Sequence, residues 1–140
     1  MILHCNYEEL SALRAGARSV LEGDAAAEYG VIAPPERRAR VEALLPRLNG
    51  DLSVETLAEL RSVATGVDAI VAELRAEMEA VVGATHPADE GAVAAYFEFA
   101  HALSVSLRIR QMRMEMEALV EVVTGRPPDE ETARTFRFPD

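Results

Sequence analysis

The stretch SVETLAELRSVATGVDAIVAELRAEMEAVV, residues 53–82, decides the fold. Within it Leu57, Leu60, Ala64, Val67, Val71, Leu74, Met78 and Val81 recur at alternating steps of three and four. On an α-helix that rhythm lines up as one apolar seam, the pattern by which one long helix packs along another. Ser53 is a residue type that caps a helix start, so the spacing predicts a helix over about 54–82, roughly 40 Å long at 1.5 Å per residue. Val63 and Ile70 widen the stripe on one flank, which predicts a further helix packed there.

The partner follows directly in sequence. Gly83 to Pro87 reads as a hairpin turn, Pro87 as a residue near a first helical position, and Asp89 and Glu90 as acids placed where a helix dipole favours them. Ala102, Val105, Ile109, Met112, Met116, Leu119 and Val123 continue the three-four rhythm until Gly125, predicting a helix over about 87–124. A short connection makes the two antiparallel neighbours. Folding about residue 85 sets Leu74 beside Ala95 and Glu98, Leu57 beside Met112 and Met116, and Gly66 near Ser104.

Shorter elements flank this hairpin. Asn6 and Glu9 have the spacing of a capping box, opening a helix over about Tyr7–Glu22 with Gly23 as its stop and a single turn at Ala25–Glu28 after it. Pro34 and Pro35 open a second helix carrying Val41, Leu44, Leu45 and Leu48, and Pro46 ends or kinks it. Beyond Gly125, one helical turn and an alternating Thr135-Phe136-Arg137-Phe138 follow. The two chain ends, Ile2–Cys5 and Thr135–Phe138, are expected to pair as a small two-stranded β-ribbon. The expectation is therefore an all-α single domain over 1–140: a long antiparallel helical hairpin with two shorter helices packed on it.

Composition narrows the function classes. Apolar residues make up 49% of 140 residues and charged ones 27%, enough apolar surface for a folded core rather than a disordered chain. The net charge of −10, from 24 acids and 14 bases, disfavours nucleic-acid binding through a basic surface. It serves solubility, with a basic protein partner as the functional alternative. Cys5 is the single cysteine, so no internal disulfide forms, which suits a reducing compartment. Neither a signal peptide nor an 18-residue apolar span is legible, and a cytoplasmic location is expected, with no membrane contact.

The chemistry-bearing residues gather in the second long helix. From Ala92 to Val105 it is apolar almost all round, which means enclosure on several sides. Phe99, Ala95, Ala102 and Val105 occupy one face. Val93, Tyr96, Phe97, Ala100, Leu103 and Leu107 are left to meet another surface, and the expected partner is a second copy of the chain. Glu98 and His101 form Glu-x-x-His within this segment. In ferritin-like bundles that motif supplies a bridging carboxylate and an imidazole to iron or manganese, and two motifs with two more glutamates complete a site. Glu73 and Glu77 of the preceding helix fall near this level, and a symmetric dimer would double the set. The structural alternative is a local Glu–His pair, with His101 or Arg75 as the partner of Glu98. Met78, Met112, Met114 and Met116 could line an apolar ligand pocket or simply pack. His4 beside Cys5 lacks an orienting third group in the sequence. His86 belongs to the turn, and Arg37, Arg38 and Arg40 form a small basic cluster suited to pairing with acids.

Three function readings result. The leading one is a non-enzymatic, self-associating helical scaffold or adaptor. The second is a ferritin-like metal-binding oxidase with a site shared across a dimer at Glu98, His101, Glu73 and Glu77. The third is a carrier of an apolar small ligand.

Overall fold

A computed structural model describes residues 1–22, 35–84 and 89–139. Helix α1 spans Tyr7–Glu22. Helix α2 spans Pro35–Leu44 and tightens into a 3-10 turn over Leu45–Arg47. The long helices are α3, Leu57–Ala84, and α4, Glu90–Thr124, and a short α5 spans Glu130–Thr135. The strands β1, Ile2–Leu3, and β2, Leu52–Ser53, complete the set. The all-α hairpin architecture read from the sequence is the architecture found.

Local chemistry sets the boundaries. The Asn6–Glu9 capping box forms in both directions, Glu9 N donating to Asn6 Oδ1 at 2.8 Å and Asn6 N donating to Glu9 Oε1 at 2.9 Å. Asp89 opens α4 by accepting from Gly91 N at 2.8 Å, and Gly125 closes it in the left-handed conformation at φ 66°. Pro46 breaks α2 into its 3-10 turn, because proline has no N–H for the i−4 bond. Helix α3 starts at Leu57 rather than Val54, capped by Thr56 Oγ1 on Glu59 N. Ser53 is not its cap because Leu52–Ser53 is already committed to β2. The expected stop at Gly23, the turn at Ala25–Glu28, Pro34, and the loop residues 85–88 with His86 and Pro87 lie outside the described residues.

The ribbon differs from expectation in its partners. Among the described residues the chain ends do not pair with each other. Ile2 pairs with Ser53 and Leu3 with Leu52, antiparallel, while Thr56 bridges Arg137 on the other side. Val54 exchanges two hydrogen bonds with Met1, and Phe138 N donates to Glu55 O at 2.8 Å. The 52–56 segment is thus the middle member that both termini join. Sequence alternation identified two edges and missed the segment between them, whose Leu52 and Val54 are fully buried.

The core lies where α1, α2, α3 and α4 meet, around Leu13, Leu57, Leu60, Val67, Ile70, Val105 and Ile109. Ile70 faces α1, as its place on the flank of the seam predicts. There Gly16 allows close approach: a Cβ on Gly16 would stand 2.6 Å from Ile70 Cγ2 and 2.9 Å from Leu74 Cγ. Gly66, expected beside Ser104, instead faces α2, where a Cβ would meet Leu44 Cδ2 at 3.1 Å and Arg40 O at 3.3 Å. The two long helices also sit in a different register from the one that a fold about residue 85 would give. Asp68 accepts from Ser106 and Arg61 donates to Glu117, where a fold about residue 85 would set them beside positions 102 and 109, and α3 continues through Gly83 and Ala84.

Three polar links tie the elements. Arg108 of α4 donates to both carboxylate oxygens of buried Glu9 in α1 and, at 2.9 Å, to His4 O. Arg38 of α2 donates at 2.8 Å to Val20 O and to Leu21 O, satisfying carbonyls left open at the end of α1. Arg14 donates to Leu48 O at 3.1 Å. Arg38 therefore caps a helix rather than pairing with an acid as the basic-cluster reading had it.

Candidate functional site

Helix α4 carries apolar side chains on two opposite faces. One face holds Ala92, Ala102, Val105, Ile109 and Val120, all buried, with Phe99, Met112 and Met116 packed beside them. This face meets α3 and α1. On the other side Val93, Phe97, Ala100, Ser104, Leu107, Gln111, Met114 and Ala118 succeed one another at alternating steps of four and three. These positions are exposed or half-buried along about seven turns of helix. Phe97 keeps 55% of its surface exposed, Leu107 51% and Met114 63%. Tyr96 flanks them, its ring edge-on to Phe97 at 5.8 Å between centroids.

The structure thus leaves uncovered Val93, Tyr96, Phe97 and Leu107 of the six residues singled out from the sequence, with Ala100 and Leu103 half-buried. Sequence reading missed the extension of the same row to Met114, Ala118 and Val122. The signal was present as a second seven-residue rhythm, Val93, Ala100, Leu107 and Met114, hidden by the stronger rhythm of the buried face.

Glu98 and His101 lie half-buried along the edge of α4 next to α1. They line a cleft of about 210 Å³ with Tyr7, Glu8, Ser11 and Ala12 of α1. Burial pushes the Glu98 carboxyl above its ordinary value, and the neighbouring Glu77 carboxylate adds to the rise. Glu73 is only 3% exposed, and its Oε1 has no hydrogen-bond partner. Burial raises its carboxyl too, and the Glu77 carboxyl beside it adds to the rise. The structure therefore brings Glu73, Glu77 and Glu98 into one electrostatic neighbourhood. Among the described residues, no group of three or more His, Cys, Asp and Glu side chains is placed to hold a metal ion. Arg75 bonds Glu79 at 3.0 Å rather than Glu98.

The remaining candidates separate. His4 Nδ1 stands 2.7 Å from Asp51 Oδ2, so an orienting carboxylate exists that the sequence did not reveal. Cys5, however, has its thiol pushed up by burial, and its N–H donates to the same Asp51, the reverse of an activated thiolate. Met112 and Met116 pack on the core while Met114 stands on the opposite face, so the methionines do not converge on one pocket. Among the described residues no helix is long and apolar enough to cross a membrane. No protein-family model, curated protein or solved structure matches the chain.

Proposed function

We propose that this protein is a non-enzymatic helical scaffold that self-associates through the outer face of α4. The observation that carries the reading is the second apolar row, set at coiled-coil spacing, whose Val93, Phe97, Leu107 and Met114 are exposed, with Ala100 half-buried between them. A row of this kind is a seam awaiting a helix, and a contiguous exposed apolar patch marks an interaction surface. A second copy supplies the matching face by symmetry. Ser104 and Gln111 interrupt the row with polar groups, which limits pairing to registers that satisfy them.

Glutamate substitution on the row tests this. Phe97→Glu and Leu107→Glu each place a carboxylate in the apolar contact and should weaken association at least tenfold, about 1.4 kcal/mol or more. Arg37→Glu, on an exposed position of α2, should leave it unchanged. Sedimentation equilibrium reads the difference, with circular dichroism verifying the fold. Equal association by all three variants would rule out α4 as the contact.

A further inference from the structure

A cleft of about 290 Å³ opens between α2, α3 and α5, and arginines reach it from all three: Arg40, Arg61 and Arg134. Ser62 and Thr65 add hydroxyls to its wall, and Glu36 and Glu130 stand with them. In a chain where acids outnumber bases 24 to 14, three guanidinium groups around one cleft are a local reversal of charge.

Their bonding is what distinguishes them. Arg40 follows Glu36, and Arg134 follows Glu130, at four-residue spacing, where helices readily pair opposite charges. Elsewhere in this protein that spacing closes, with Arg75–Glu79 at 3.0 Å and Arg113–Glu117 at 3.2 Å. Neither pair at the cleft does so. Among the described residues the side chains of Arg40, Arg134 and Ser62 have no hydrogen-bond or ion-pair partner. Arg61 is anchored by Glu117 and by Pro128 O, yet its Nε–H is buried without an acceptor. A second, smaller cleft adjoins the first, shares Arg40 and Ser62, and brings in Arg47.

We infer that this cleft binds a phosphate group carried on a small hydroxylated molecule. Arg40 and Arg134 are free to form the paired N–H to oxygen bonds by which guanidinium groups hold phosphate, and Ser62 can donate a further bond. Their two positive charges match a phosphomonoester dianion. Glu36 and Glu130 share the cleft with these arginines. They are acceptors, suited to hydroxyl groups on the rest of the ligand. The volume fits a ligand of metabolite size.

The test uses the full chain titrated with inorganic phosphate and, separately, with glycerol 3-phosphate, followed by amide NMR shifts at constant ionic strength. Saturable shifts confined to residues around Ser62 and Arg134 are expected, with glycerol 3-phosphate binding more tightly than phosphate. Arg40→Gln and Arg134→Gln should each weaken both ligands at least tenfold, whereas Glu130→Gln should strengthen phosphate and narrow the preference for glycerol 3-phosphate. No saturable shift with either ligand, or binding that Arg40→Gln and Arg134→Gln leave unchanged, would overturn the assignment.

Discussion

Gly16 sits where α1 crosses α3, and its role is steric rather than conformational. Alanine in a helix interior is better than glycine by about 1 kcal/mol. Here the added methyl would stand 2.6 Å from Ile70 Cγ2, on a β-branched side chain with little freedom to turn away. Overpacking costs about 1–3 kcal/mol, so the clash wins. Gly16→Ala should lower stability in urea unfolding despite its helix preference, and an increase would show that the crossing is looser than described. The titrating carboxyls pull in two directions. Glu73 and Glu98 are raised above the ordinary 4.5, first by burial and then by Glu77. Their folded forms bind the proton more tightly than the unfolded chain does, so stability rises as pH falls from neutral towards 4.5 and then levels. Glu9 is lowered, chiefly by the Arg108 hydrogen bond, and the stability it confers above 4.5 is lost as pH falls through its folded value. The urea midpoint should therefore increase between about pH 7 and pH 5 and decline below that. Glu73→Gln should raise the midpoint at neutral pH and flatten the increase. A lower neutral midpoint for that variant would mean Glu73 has a stabilising partner.

At the level of elements, the helices were legible because their signals are local. The three-four rhythms of Leu57–Val81 and Ala102–Val123 depend on neighbouring residues only, as do the Asn6–Glu9 box and the break at Pro46. What the sequence hid depends on distant contacts. Ser53 has the chemistry of a cap, but strand pairing with Ile2 displaces the start of α3 to Leu57. Arg38 looked like one of a surface cluster, and only the fold brings the end of α1 to it. The short α5 stands on a single cap, with Asp129 Oδ1 accepting from Thr132 N at 2.8 Å. Asp129→Ala should cost about 0.5–2 kcal/mol, and amide exchange at Ala133 and Phe136 should quicken more than exchange in α4. Uniform change across both helices would mean that α5 unfolds only with the whole.

For the molecule as a whole, α4 is the organising element. Its inner face completes the core, its Arg108 holds the start of α1, and its outer face carries an apolar row that the hairpin leaves open. The collar around Ala92–Val105 showed in the sequence that more than one side needed covering. It could not show which side its own chain would cover, because the register of α4 against α3, set by contacts such as Asp68–Ser106 and Arg61–Glu117, makes that choice. Glu98 and His101 border the cleft between α4 and α1, beside the open row rather than on it. Self-association by the outer face is the central claim, and the mass of the chain in solution tests it most directly. Sedimentation equilibrium over a range of concentrations should give a mass rising from 15.2 kDa to twice that value as protein is added. A mass that stays at 15.2 kDa throughout would contradict it.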